Sequence, residues 1–84
     1  MNSRHRQTLA AIFANPVRSS IRWAEIETLF RALGARVTEG AGSRVVVELG
    51  GVVVVFHRPH PRPETDKGAV KAVRKFLIDA GIRP

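Results

Sequence analysis

Residues 42–75 read GSRVVVELGGVVVVFHRPHPRPETDKGAVKAVRK, and this stretch decides the fold. Two runs rich in β-branched residues, 43–49 and 52–57, flank Gly50-Gly51, a pair that predicts a two-residue hairpin turn. A His/Arg/Pro segment follows, and a basic run with helical spacing comes next. A hairpin followed so closely by a basic helix predicts a small platform suited to a polyanion.

The predicted turn sets the register of the hairpin. With two residues in the turn, alternation of side chains places the apolar ones on a single face, which helices should cover. The residues of that face are Val45, Val47, Leu49, Val52, Val54 and Phe56. The opposite face pairs Arg44 with His57, Val46 with Val55 and Glu48 with Val53. A three-residue loop would shift the register by one and break this pairing.

The elements around the hairpin complete an α+β fold. Predicted helices cover residues 3–14, 21 or 22 to 33, and 67–80, and a short strand covers residues 35–39. Ser19 or Ser20 is the expected N-cap of the second helix, and Thr65 or Asp66 that of the last one. The predicted architecture is a three-stranded antiparallel sheet with helices on one face.

The second helix is predicted to have a tryptophan in the core and two glutamates on the surface. Trp23 falls on the apolar stripe of this helix, so it is predicted to anchor the core rather than to stack on a nucleic-acid base. Glu25 and Glu27 are predicted to lie on the helix surface.

Composition narrows the classes of function. The 84 residues make one small domain, and the absence of cysteine excludes disulfides, thiolate zinc sites and cysteine nucleophiles. No apolar run is long enough to span a membrane and no signal peptide is evident, so we expect a soluble cytoplasmic protein. A net charge of +7 favours binding to nucleic acid, although an acidic protein partner would suit the same field.

Basic side chains cluster on and just before the last helix. Lys67, Lys71, Arg74 and Lys75 share one helix face, away from the valine stripe, and Arg58 and Arg62 precede them in the loop. Free N–H groups and the helix dipole favour an anion near the helix start. These six side chains are the candidate RNA-binding residues; the alternative is an ordinary solvated helix face.

The chain resembles the HicA family of bacterial toxins over about residues 23–82. The resemblance rests on Gly42-Ser43 at the start of the central strand, the His-rich loop, Thr65-Asp66-Lys67-Gly68, and the closing residues 77–82 (LIDAGI). It divides the chain into an N-terminal helical extension, 1–20, and a HicA-like domain, 21–84. It implies a fold like the double-stranded-RNA-binding domain, cleavage of mRNA without a metal or other cofactor, and neutralisation by a HicB-type antitoxin.

The chain departs from the family pattern at Arg44. HicA toxins usually carry a histidine directly after the Gly-Ser pair, and that histidine is taken as catalytic. Arginine stays protonated and cannot act as a base, but it can stabilise a pentavalent phosphate. We therefore expect His57 to act as base or acid opposite Arg44. His60 is the other candidate for proton transfer, or else an exposed loop residue, and the absence of cysteine and of clustered carboxylates argues against a metal site.

The predicted uncovered face of the sheet also carries an apolar patch of Val46, Val53 and Val55. Such a patch suggests a partner surface, for an antitoxin or for a second copy in a homodimer. Two alternatives to a ribonuclease stay open at this point. One is a noncatalytic RNA-binding module, and the other is a protein-interaction module for an acidic partner.

Overall fold

The hairpin forms at the predicted place in the computed structural model, which describes residues 1–84. The strands β3 (Arg44–Leu49) and β4 (Val52–His57) are antiparallel, and Arg44 pairs with His57 as the two-residue turn requires. Gly50 and Gly51 have φ angles of 57° and 80°, the left-handed conformation that such a turn needs at both positions. A Cβ on Gly50 would lie 2.8 Å from the carbonyl oxygen of Ala80, so the turn also needs glycine to sit against the C-terminal helix.

Three helices and three further strands complete the chain. They are α1 (Ser3–Ile12), β1 (Ile21–Arg22), α2 (Trp23–Ala32), β2 (Arg36–Glu39), β5 (Glu64–Thr65) and α3 (Lys67–Asp79). The main sheet is antiparallel with the order β2-β3-β4, and β1 and β5 form a separate two-stranded ribbon. The predicted α+β class is confirmed. None of the helices combines the length and the apolar character that crossing a membrane requires.

The core lies between the main sheet and the helices. Val45 and Val47 of β3 are completely buried, and Phe56 of β4 is almost so. Four aromatic rings meet there with centroids 5.5 to 6.3 Å apart: Trp23, Phe30, Phe56 and Phe76. Such edge-to-face and offset contacts stabilise a core beyond the burial of area alone. Trp23 is therefore a core anchor, as predicted.

The start of α2 differs from the prediction. The helix begins at Trp23, and its N-cap is Arg22, which makes no capping bond through its side chain. Neither Ser19 nor Ser20 caps it, because Ile21 and Arg22 are held as a strand against Thr65 and Glu64. At the other end of the chain, Asp66 is the N-cap of α3, where its carboxylate accepts a hydrogen bond from the N–H of Ala69 at 2.8 Å.

The N-terminal helix is packed into the common core. Leu9 and Ile12 of α1 are buried with the apolar residues of α2, α3 and the sheet. The predicted N-terminal extension, residues 1–20, thus shares its core with residues 21–84.

Candidate functional site

The exposed face of the sheet presents Arg44 and His57 side by side. They are register partners at the open end of the hairpin, and both are exposed to solvent. The ladder continues one step further, since the N–H of Arg58 donates to the carbonyl of Ser43 at 2.9 Å. Neither side chain of the pair has a hydrogen bond or an ion pair within the chain. A cation and an imidazole thus project from hydrogen-bonded backbone, with no partner inside the chain.

Gly40 lies next to Arg44 on the side away from His57. Its N–H donates to the carbonyl of Arg44 at 2.9 Å, which extends the pairing toward β2. A Cβ at Gly40 would lie 3.2 Å from the Cβ of Arg44, closer than side chains ordinarily approach. Glycine at this position therefore leaves room around the arginine side chain.

The predicted valine patch lies on the same exposed face. Val53 and Val55 are 58% and 50% exposed, and Val46 is half-buried on the central strand. Exposure of two large β-branched side chains beside each other is unfavourable in water unless something covers them. The patch adjoins the arginine–histidine pair, because Val46 and Val55 form the next register pair but one from it.

Arg58 lies on the other side of the sheet from His57 and is bound within the chain. Its guanidinium donates four hydrogen bonds, two to Glu27 (2.7 and 3.0 Å) and two to Glu39 (2.6 and 2.7 Å). Glu27 also accepts a hydrogen bond from the indole N–H of Trp23 and an ion pair from Arg31. These residues form the Arg58 cluster, which ties the end of β4 to α2 and to the end of β2.

Charge and burial act in opposite directions on the carboxyls of the Arg58 cluster. Burial raises the pKa of Glu27, but its bonds to Arg58 and Trp23 outweigh that effect and leave the pKa below its ordinary value. The hydrogen bond from Arg58 likewise lowers the pKa of Glu39. The two carboxylates in turn raise the pKa of Arg58 further above its already high ordinary value. All three groups are therefore charged at neutral pH.

Glu27 is the clearest departure from the sequence-based expectation. It was predicted to lie on the helix surface, but it is only 6% exposed, because Trp23 and Arg58 cover it. Its spacing of four residues from Trp23 was the one local signal, since side chains at i and i+4 meet on a helix. Glu25 reaches the surface as expected and pairs with Arg4.

Two basic residues of α3 also have partners. Arg74 donates to the carbonyls of Ile12 and Ala14 at 3.0 and 2.9 Å, and its guanidinium lies 6.0 Å from the ring of Phe13. Arg74 therefore connects the C-terminal end of α1 to α3 through these hydrogen bonds. Lys75 forms an i,i+4 ion pair with Asp79 at 3.0 Å, and such a pair between exposed side chains is weak.

The remaining predicted contacts are exposed and unpaired. They are Arg62 in the loop and Lys67 and Lys71 in the first turns of α3. His60 is also exposed, in the loop between β4 and β5. RNA binding by Arg58 and Arg74 stays a prediction, but each has a structural role that accounts for its position.

Comparison with known protein families assigns the chain to one of them. The chain is a small basic α+β protein whose sheet exposes an arginine–histidine pair to solvent. The family model described as the HicA toxin of bacterial toxin–antitoxin matches residues 23–82. The chain belongs to the HicA toxin family. No curated protein and no solved structure gave a significant match.

Proposed function

We propose that this protein is the toxin of a toxin–antitoxin pair and acts as a metal-independent endoribonuclease on mRNA in the cytoplasm. The observation that carries the proposal is the exposed, unpaired Arg44–His57 pair at the end of the paired hairpin. Membership of the HicA family supports the toxin role. The net charge of +7 supports a polyanionic substrate.

Each member of the pair has a role in cleavage of a phosphodiester. His57 takes the proton of a ribose 2′-hydroxyl, whose oxygen then attacks the adjacent phosphorus. Arg44 stabilises the negative charge that builds up on the pentavalent phosphate. The bond to the 5′-oxygen breaks, that oxygen takes a proton, and the products end in a 2′,3′-cyclic phosphate and a 5′-hydroxyl. His60, exposed in the loop that follows, is the candidate donor of that second proton.

Phosphates on either side of the cleaved bond require further cations. Arg62, Lys67 and Lys71 are unpaired and follow His57 along the chain, and Lys75 can leave its weak ion pair with Asp79. Lys67 and Lys71 also lie in the first turns of α3, where the helix dipole favours an anion. These four side chains form the proposed RNA track.

The valine patch is the proposed docking site of a HicB-type antitoxin. A partner that covers Val53 and Val55 would cover Arg44 and His57 as well, and would therefore exclude RNA. A second copy of the chain, in a homodimer, is the competing occupant. A Val55→Glu variant should bind the antitoxin more weakly, whereas equal affinity would contradict docking at this patch.

The test of the enzyme is cleavage of RNA by the purified protein in the presence of a chelator. Wild type should release fragments with 2′,3′-cyclic phosphate ends, and expression of the isolated chain should arrest growth. His57→Ala should lower the rate by roughly 10²- to 10⁴-fold, the usual contribution of a general acid or base. His5→Ala is the matched control, because His5 lies on α1, which packs against α2, α3 and β1 rather than against the hairpin strands. Unchanged cleavage by His57→Ala would contradict the assignment.

The second candidate function is RNA binding without cleavage. It is favoured by Arg44, which stands where HicA toxins usually carry the histidine taken as catalytic. In that case wild type would bind RNA with strong salt dependence and leave it intact. Absence of RNA binding would instead favour a protein-interaction module with an acidic partner.

A further inference from the structure

A second basic surface lies between α1 and the segment that leads into α2. It is a groove of about 480 Å³ lined chiefly by polar and charged side chains. Six of its lining residues carry the argument that follows, because their side chains are charged or can form hydrogen bonds: Arg4, Gln7, Arg18, Ser20, Arg22 and Glu25. We call this surface the arginine groove. It contains three arginines and a single acidic residue, so positive charge is in excess.

Two of the three arginines have no partner. Arg4 donates to Glu25 at 3.0 Å, which neutralises both charges. Arg18 and Arg22 are exposed and make no ion pair or side-chain hydrogen bond within the chain. Together with Gln7 and Ser20, these two guanidinium groups line a concave surface. That arrangement offers both charge and neutral hydrogen-bonding groups to a ligand.

The arginine groove adjoins the proposed RNA track. Arg22 belongs to β1, and its register partner is Glu64 of β5. Arg62 and Lys67 lie on either side of β5 in the chain. The two-stranded ribbon thus pairs the segment that carries Arg22 with the segment that runs from Arg62 to Lys67.

We infer that the arginine groove binds the phosphodiester backbone of the RNA substrate, as a subsite separate from the bond that is cleaved. The guanidinium groups of Arg18 and Arg22 contact phosphates, which suit their planar donors. This inference rests on the proposed function and extends it, since it assigns a site to residues that precede the family match at residue 23. The subsite raises affinity for longer RNA and takes no part in the chemistry.

The experiment compares Arg18→Ala/Arg22→Ala with a matched control, Arg6→Ala/Arg83→Ala. Both variants lose two exposed positive charges, and neither Arg6 nor Arg83 lines the groove. Binding is measured with 2′-O-methyl RNA, which cannot be cleaved, in two lengths. The long probe has about 12 nucleotides, enough at roughly 3 Å per nucleotide to cross the 31 Å longest dimension of the molecule. The short one has about four.

The groove variant should bind the long probe roughly tenfold more weakly than the control, with a salt slope smaller by about 1.4, the value for two lost phosphate contacts to a single strand. Binding of the short probe should change equally in both variants. With cleavable RNA the groove variant should raise KM and leave kcat unchanged. Thermal melting of both variants should match wild type, because these arginine side chains are exposed.

Equal affinity of the two variants for the long probe would overturn the inference while leaving the ribonuclease intact. Failure of wild type to bind either probe would overturn both the inference and the proposed function. Loss of antitoxin binding by the groove variant, with RNA binding unchanged, would assign the groove to an acidic segment of the antitoxin and overturn the inference as well.

Discussion

His57 and Arg58 are consecutive in the chain, yet they belong to two regions with opposite physical character. His57 projects with Arg44 from the uncovered face of the sheet, exposed and without a partner. Arg58 turns to the helix side, where two carboxylates accept four hydrogen bonds from its guanidinium. One step along a strand changes the face, so it separates a group available to a ligand from a group used to hold the fold.

The contrast shows that charge in the sequence does not reveal which cations the fold leaves free for a ligand. Arg58 and Arg74 satisfy carboxylates and backbone carbonyls of the chain itself. Arg44, Arg62 and the lysines at the start of α3 have no such partners, and Lys75 has only a weak one. We therefore assign the RNA contacts only to side chains that the fold leaves unpaired or weakly paired.

The largest expected effect is on stability, and it comes from placing the same substitution, valine to glutamate, on the buried and on the exposed face of the sheet. Val47→Glu places a carboxyl at a completely buried position and should cost more than about 4 kcal/mol, because nothing there can pair with it. Val55→Glu puts the same group on the exposed face and should cost about 1 kcal/mol or less. Urea denaturation of both variants measures the difference. Similar stabilities would mean that the two faces are not distinct.

The next comparison is between the effects on stability of replacing the consecutive residues His57 and Arg58. Arg58→Ala leaves the buried carboxylate of Glu27 without its main partner and should lower the free energy of unfolding by about 2 kcal/mol, between the values for surface and buried pairs. At roughly 4–8 °C per kcal/mol for a domain of this size, the melting temperature should fall by about 10 °C. His57→Ala should leave the melting temperature unchanged. The reverse pattern, with His57→Ala the less stable variant, would contradict the division of roles.

Acid should weaken the Arg58 cluster selectively. Because the folded pKa of Glu27 is lower than that of the unfolded chain, its contribution to stability is complete above the ordinary glutamate range and is lost as pH falls through the folded pKa. Wild type should therefore lose stability progressively as the pH falls below about 5. Glu27→Gln should be less stable at neutral pH and show a smaller loss on acidification. Parallel pH profiles for the two proteins would exclude Glu27 as a source of the dependence.

The smallest expected effect on stability concerns a buried hydroxyl group that has no hydrogen-bond partner. The hydroxyl of Thr65 is buried without a hydrogen-bond partner. Thr65→Val keeps the shape and removes the unsatisfied group, so stability should rise by about 1 kcal/mol. Thr38→Val on the exposed face is the control, because its hydroxyl is solvated. A loss of stability in Thr65→Val, with none in the control, would show that the hydroxyl has a partner in solution.

Some features of the site could be predicted and others could not. The pairing of Arg44 with His57 follows from the alternation of valines and the Gly-Gly turn, and both are local properties of the chain. The β1–β5 ribbon has only two residues per strand, too few for any periodic signal. Burial of Glu27 depends on Arg58, which is 31 positions away in the chain.

By itself, the sequence determined the α+β class, the hairpin register and the two faces of the sheet, because each follows from contacts between residues near one another in the chain. Only the tertiary structure decided which of the basic residues are neutralised inside the fold and which stay free. That outcome depends on which elements meet: Arg58 with Glu27 and Glu39, Arg74 with the end of α1, and Arg18 and Arg22 with no partner at all. The energy of a charge is determined by its three-dimensional neighbours, and no local pattern in the chain encodes them.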